Sequence, residues 1–319
     1  MANKGNILLL GALAMDVTLL AQALPEDDGF ALIDGEKTVP GGSAANVAVA
    51  VEHLGAQARL TGKIGDDDLG RQYLADLNKE NIDTACLRIK NGGVTMHTYV
   101  IVAPQGRHCI LANLGDCINE MTAAETEDAF LDDCACFYSD MFSAPAALQL
   151  AELANKRNIP VVYNLQCTPA FMANCGCTFP MIDEMLSRAD LILGGRSSLS
   201  QLAESSDPAE MAEAIYRRWQ PRDGVICSLG SEGSLWRHDE GALRMPAYKV
   251  QTVDSTGAGD CFAGALMVSL YANGEKDREK ALRFASAAAA LTCREISPRF
   301  SGTAEDVHDL IASGNKCDK

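Results

Sequence analysis

The chain has 319 residues, 47% of them hydrophobic and 22% charged, with a formal net charge of −16 at pH 7. That length can bury a sizeable core, as one large α/β domain or two smaller ones, and the acidic balance disfavours nucleic acid and anionic membranes as general partners. No apolar run reaches the ~18 residues of a membrane span, and the close pairs among the twelve cysteines, Cys134-x-Cys136 and Cys175-x-Cys177, lack the spacing of structural zinc sites, so free thiols in a cytoplasmic protein are expected.

Taken in chain order, Asn6 to Ala14 is a continuous apolar run and predicts the buried first strand of a parallel sheet. With Lys4 it also imitates a secretory signal, but cleavage there would remove the strand that presents Asp16. A carboxylate just past a strand's C-terminal end is where open α/β sheets bind ligands; an Asp there also serves as an ordinary turn or cap. Leu19 to Val39 has strand-like pieces broken by Pro25, Asp27-Asp28 and Gly35. Next, Pro40-Gly41-Gly42-Ser43-Ala44-Ala45-Asn46 runs into a helix of small residues. Its glycines let a ligand approach the backbone, and Asn46 offers both donor and acceptor to a polyol; the same pattern also suits a tightly packed helix start.

Ala58 to Ile64 predicts a strand and Leu69 to Glu80 a helix, with Asp66-Asp67-Asp68 as a solvated helix N-terminus. Gly93 to Asn113 reads as a hairpin, Val94 to Ala103 and Arg107 to Asn113 around Pro104-Gln105-Gly106. Strand and helix then alternate: Phe137 to Ser139 and Pro145 to Arg157; Pro160 to Tyr163 and Pro180 to Arg188; Leu191 to Leu193 and Pro208 to Trp219; then Gly224 to Leu229. The pattern predicts an α/β fold with a parallel sheet covered by helices on both faces. Ala281 to Cys293 predicts a buried Ala-rich helix. With no repeats, low-complexity tracts or linkers, residues 1–319 are expected to form a single unit.

The most informative stretch is Asp254-Ser255-Thr256-Gly257-Ala258-Gly259-Asp260, between strand-like Tyr248 to Val253 and helix-like Cys261 to Tyr271. A glycine-rich turn entering a helix gathers unpaired N–H groups at the positive end of the helix dipole, a cradle for phosphate oxygens. Asp260 at such a site makes sense as the group that takes a proton from an attacking hydroxyl, although Asp is also a favoured N-cap. There is no Walker A sequence, and the spacing of Gly257, Gly259 and Gly264 misses the dinucleotide fingerprint, which sets aside a nicotinamide oxidoreductase.

Together, GGSAAN with Gly55 and Gly65-Asp66-Asp67, and DSTGAGD-CF-AGAL near the end, resemble the signatures of the ribokinase-like (PfkB) carbohydrate kinase family, along nearly the whole chain. The resemblance implies a three-layer α/β/α sandwich with a mostly parallel central sheet. Insertions at about 17–40 and 92–115 would form a small β-sheet lid, which in this family often pairs in a homodimer. It implies transfer of the γ-phosphoryl group of ATP, with Mg²⁺, to a hydroxyl of a sugar, with Asp260 as the base and the N–H groups of Gly257, Ala258, Gly259 and Asp260 as the anion hole. Asp16, Gly41, Gly42 and Asn46 would hold substrate hydroxyls. Asn164 would sit near the phosphates and Mg²⁺; Ser228, Gly230 and Gly233 would form the nucleotide turn; Ser286 and Ala289 would neighbour the adenine. Asp254 and Thr256 match positions that hold a monovalent cation such as K⁺ in some members. On the lid, Met96, His97, Arg107 and His108 are candidates to face the substrate, or else packing residues.

The departures from the pattern are specific. An Asn-x-x-Glu element that organises Mg²⁺ and phosphate is Gly195-Arg196-Ser197-Ser198 here. A Glu that touches ribose falls at Ser143, with Asp140 close by. Ile296-Ser297-Pro298-Arg299 replaces a Gly-containing turn, which weakens the cation site, and Ser43 replaces the Lys of members that act on phosphorylated sugars, favouring a non-phosphorylated acceptor. Two alternatives stay open: a nucleoside kinase, which the 6% aromatic content weighs against, and a silent sensor that binds sugar or ATP without turnover.

Overall fold

The computed structural model describes residues 5–26, 28–104 and 108–314, with only the backbone of His108. Of the residues singled out above, Lys4, Asp27, Gln105, Gly106 and Arg107 lie outside the described residues, as does the side chain of His108.

Numbered in chain order, the strands are β1 (Asn6–Leu10), β2 (Ala14–Ala21), β3 (Ile33–Gly41), β4 (Ala58–Gly65), β5 (Leu87–Lys90), β6 (His97–Val102), β7 (His108–Asn113), β8 (Cys134–Ser139), β9 (Val161–Leu165), β10 (Leu191–Gly195), β11 (Gly224–Ser228), β12 (Ser234–His238) and β13 (Gly241–Met245). The helices are α1 (Ser43–His53), α2 (Asp68–Lys79), α3 (Ala144–Lys156), α4 (Pro169–Asn174), α5 (Phe179–Arg188), α6 (Arg196–Ala203), α7 (Pro208–Trp219), α8 (Ala258–Met267), α9 (Arg278–Thr292) and α10 (Ala304–Ser313); α8 runs on into a π turn over Val268–Ala272.

Nine strands form one sheet in the order β13-β12-β11-β10-β9-β8-β1-β4-β5. It is parallel except for the antiparallel β11–β12 and β12–β13 pairs. Both faces are covered, and β1 shows why its run is apolar throughout. Ile7 and Leu9 pack with α1, α8 and α9 on one side, and Leu8 and Leu10 with α3 and α5 on the other. A separate four-stranded sheet, β3-β2-β6-β7, mixes antiparallel pairs with a parallel β2–β6 pair. This is the α/β sandwich with a small second sheet that the alternation and the resemblance lead one to expect.

Three local expectations are corrected. The first strand ends at Leu10, and Asp16 lies inside β2 of the small sheet rather than just past β1. The chain leaves the main sheet at Gly11 because Asp140 stands there: a Cβ on Gly11 would fall 2.3 Å from its carboxylate. Tyr248 to Val253 is not a strand. β13 already lies at the end of the sheet, and the Val253 N–H donates instead to the carbonyl of Cys293 beyond α9 (2.8 Å). Asp67 is more than a solvated cap. It accepts from Gly70 N–H (2.8 Å), Thr95 N–H (2.9 Å) and the Thr95 hydroxyl (2.6 Å), tying α2 to the approach to β6. Strand β5, helices α4, α6 and α10 and the β12–β13 hairpin have no counterpart in the sequence reading; they are short or terminal segments.

Candidate active site

The carboxyl ends of β9, β10 and β11, the start of α8 and the start of α1 converge on Asp260. Gly257 precedes α8 with φ of 76°, and a Cβ there would lie 1.8 Å from the Pro298 carbonyl oxygen, so only glycine fits. A Cβ on Gly259 would meet nothing within 4 Å, which leaves the first turn of α8 open to a ligand. The Ala258 N–H is donated to Ser255 (3.3 Å), while Gly259 and Asp260 N–H have no partner among the described residues. The turn therefore presents N–H groups at the positive end of a helix.

Asp260 is buried, and both of its oxygens accept an amide: Oδ2 from Asn46 Nδ2 (2.9 Å) and Oδ1 from Gln166 Nε2 (2.7 Å). Burial pushes its carboxyl up to about 7; the two amides pull it down and the nearby charge of Asp140 adds to the rise. Asn46 stands on the first turns of α1, whose small residues pack against α8. Its Oδ1 is buried with no hydrogen-bond partner among the described residues, an acceptor left open beside Asp260. The α1 turn is held by Gly42 (φ 88°), where a Cβ would fall 2.4 Å from the Ala12 carbonyl oxygen.

Asp16 accepts from the Thr98 hydroxyl (2.5 Å), and a Cβ on Gly41 would sit 2.3 Å from its carboxylate. Strand register places Asp16, Val39, Thr98 and Ala112 on one face of the small sheet and Met15, His97 and Asn113 on the other. His97 is buried there, with Nδ1 on the Thr95 carbonyl (2.9 Å), so it packs the sheet and does not share Asp16's face.

A chain with this site matches the model of the pfkB family carbohydrate kinases over residues 4–304. It belongs to that family. An ATP-dependent ribose-1-phosphate kinase of Halopiger xanaduensis is 30% identical over 308 residues, covering 96% of this chain and 98% of its own. The ribokinase of Bacillus subtilis is 28% identical, covering 96% and 99%. Among solved structures, an Arabidopsis thaliana ribokinase complexed with ribose and ATP superposes with a TM-score of 0.83 at 21% identity, over 96% of this chain and 98% of that one. The protein is accordingly a phosphotransferase with an alcohol group as acceptor.

Within this pfkB kinase, a cavity of about 160 Å³ adjoins Asp260, lined by Asn164, Gln166, Gly194, Gly195, Ser228 and Gly259. Asn164 is buried and donates to the Tyr138 hydroxyl (3.1 Å). Next to it, a wider hollow runs along Ser228, Leu229, Gly230 and Glu232 to Arg196. Arg196 pairs with Glu232 (2.9 Å) and caps that hollow, while Ser198 is buried with its hydroxyl on the Gly195 carbonyl (3.0 Å). Gly233 lines neither space; a Cβ there would meet the Met245 carbonyl oxygen at 1.9 Å, so its part is close packing. Ser286 is buried in α9 and lines neither space. Asp254 and Thr256 form a local turn, Asp254 Oδ1 accepting from Thr256 N–H (2.9 Å) and its hydroxyl (2.8 Å).

Two residues of the site escaped the sequence reading or were misplaced by it. Ser143 points away, donating to the Ile118 carbonyl (2.6 Å) and accepting from Met121 N–H (3.1 Å). Asp140 instead stands at the end of β8, fully buried, taking Ala12 N–H, Phe142 N–H and the Ser43 hydroxyl; burial pushes it up to about 6. Gln166 was not singled out at all. The available signal was its position, a polar side chain two residues past Asn164 at the carboxyl end of a central strand.

Proposed function

We propose that this kinase transfers the γ-phosphoryl group of ATP to a hydroxyl of a non-phosphorylated sugar or sugar derivative, with Asp260 as general base. One observation carries the reading: a buried carboxylate at a glycine-rich helix N-terminus, held near a pKa of 7 between a polyol-facing amide and a phosphate-sized cavity. The acceptor hydroxyl gives its proton to Asp260 as its oxygen bonds to the γ-phosphorus. The bond from that phosphorus to the bridging oxygen breaks, and the electron pair leaves on ADP. The N–H groups at Gly259 and Asp260 stabilise the developing charge. Asp16 and Asn46 Oδ1 accept acceptor hydroxyls, and Asp140 holds the Gly42–Ser43 turn in place from below.

The acceptor side favours a neutral sugar. None of Asp16, Asp140 and Asp260 pairs with a Lys or Arg among the described residues, so an acceptor phosphate close to them would meet unpaired carboxylates, with Lys37 a cation further along Asp16's face. Ser43, where a cation would be expected for a sugar phosphate, is spent on Asp140. Asp16's face of the small sheet carries Thr18, Leu20, Lys37, Val39, Thr98, Val100 and Ile110 and, among the described residues, no Phe, Tyr or Trp, which favours a sugar over a nucleoside.

On the nucleotide side, Ser228, Gly230 and Asn164 line the space for ATP. Mg²⁺ takes oxygen ligands and keeps several waters; the cavity offers the Asn164 carboxamide to such an ion, which would supply charge neutralisation there. Asp254 and Thr256 are the candidates for K⁺, with Asp254 Oδ2 free of the turn's hydrogen bonds. The small sheet carries exposed Leu20, Ile33, Ile110 and Leu111, with fully exposed Phe30 in the β2–β3 connection, an apolar surface suited to a homodimer through this lid.

The test is ADP release with Mg·ATP across pentoses, hexoses, sugar acids, nucleosides and ribose 1-phosphate, with and without K⁺ and with Asp260→Asn as control. A neutral sugar giving strong turnover that vanishes in the Asn variant supports the reading. Preference for ribose 1-phosphate overturns the neutral-acceptor assignment, and ATP binding without turnover of anything favours the silent binder.

A further inference from the structure

Asp260 is gripped from two sides by two different kinds of amide. Asn46 comes from α1, buried and fixed by a packed helix. Gln166 comes from the connection between β9 and α4, in a tight turn closed by its own N–H on the Asn164 carbonyl (2.9 Å), and is solvent-exposed. Its Nε2 lies 2.7 Å from Asp260 Oδ1, and the same side chain lines the 160 Å³ cavity together with Asn164, Gly195, Ser228 and Gly259. A primary carboxamide carries two N–H donors, and Asp260 uses one of them. Gly194 and Gly195 put no side chain into that cavity, so Gln166 is one of few polar side chains on its wall.

We propose that Gln166 is a positioning residue for the transfer step: one N–H fixes the Asp260 carboxylate toward the acceptor and sets its proton affinity, and the other is available to an oxygen of the phosphoryl group in transit. This rests on the kinase reading given above. A donor to the charged form favours the carboxylate, so Gln166 holds the base deprotonated at a lower pH than burial alone would allow. It offsets the desolvation of a base that must stay buried to work.

The consequence is a shift of the pH profile that a merely structural contact would not produce. Gln166→Met keeps the length of the side chain and removes the donor. The expected result is a fall in kcat of about tenfold, an acceptor KM within about threefold, and an acid limb of kcat displaced upward by about half to one pH unit, the size of one lost hydrogen bond. Gln166→Glu places a second carboxylate beside the first and moves the limb further up. The same shifts are read without turnover by ¹³C-carboxyl NMR titration of Asp260 in the unliganded protein. Loss of kcat with no displacement of the limb, or an Asp260 titration that is the same in wild type and both variants, overturns the proposal. The NMR titration separates its failure from that of the kinase reading, which fails instead if the wild-type protein turns over none of the acceptors.

Discussion

On the proposed acceptor side of Asp260, polar groups are buried or half-buried and held by the protein itself: Asn46 on Asp260, Asp16 on Thr98, Asp140 on two N–H groups and Ser43. On the nucleotide side, Gly194, Gly195, Ser228 and Gly230 leave open space, and the one ion pair at its rim, Arg196–Glu232, is exposed. The difference teaches where precision is needed. A hydroxyl must meet a base within hydrogen-bond reach, so its surroundings are pre-set. ATP brings its own charge and metal, and an open cradle of N–H groups suffices. The acceptor side and the N–H turn at the start of α8 should therefore be intolerant of change, and the nucleotide cavity beyond them forgiving.

The largest expected effect is at the base. Asp260→Asn should lower kcat at least a hundredfold while acceptor binding, measured by calorimetry, largely survives; activity within tenfold of wild type removes the base assignment. Gly257→Ala puts a Cβ against the Pro298 carbonyl oxygen and strains a residue at positive φ. Displacing the N–H cradle should cost kcat about a hundredfold, with acceptor KM nearly unchanged; a raised acceptor KM alone would move this turn to the acceptor side. Asp16→Ala should raise acceptor KM about tenfold or more and ATP KM by much less, and the reverse order would refute its substrate role.

Stability gives a subtler contrast. The Asp260 carboxyl is raised from 3.8 to about 7 on folding. In that window the folded state holds a proton the unfolded chain has lost, so stability falls as pH rises from about 4 through 7 and the full cost, on the order of 4 kcal/mol at most, is reached above it. Asp260→Asn should therefore raise Tm, and by several degrees more at pH 8 than at pH 5.5; equal gains at both would mean the carboxyl is already charged in the folded protein at pH 5.5 and is not raised into this window. The smallest effect is expected on the forgiving side. A Cβ at Gly195 would find only Ser228 Oγ at 3.8 Å, so Gly195→Asn should fold normally and shift ATP KM by less than about fivefold. A larger loss would show that the open cradle is shaped after all.

How much of this was legible in the chain depends on the range of the interaction. GAGD announces its own geometry, because the φ of Gly257, the helix that follows and the exposed N–H groups are all local. Asn46 was legible as a small-residue helix start with one amide. Asp16 was singled out as a candidate ligand residue but misplaced, since a period of apolar residues cannot show that one sheet ends before Gly11 and β2 starts another. Gln166 was illegible, and Asp140 was noticed only as a neighbour of Ser143, for a different reason. Gln166 reaches Asp260 across 94 positions, and Asp140 reaches Ala12 across 128; no spacing rule spans such distances.

By itself, then, the sequence determined what short-range physics determines: alternating strands and helices, the glycine turns, the cluster of N–H groups at the start of α8 and the family. Tertiary structure alone decided which carboxylates face one another, that His97 turns away from Asp16's face, that Asp140 rather than Ser143 stands beneath the acceptor turn, and that Gln166 closes on the base. The physical reason is that the pKa of a carboxylate and the partners of an amide are set by whatever the fold brings within a few ångströms, and parallel strands joined by long crossovers bring together residues that the chain keeps far apart.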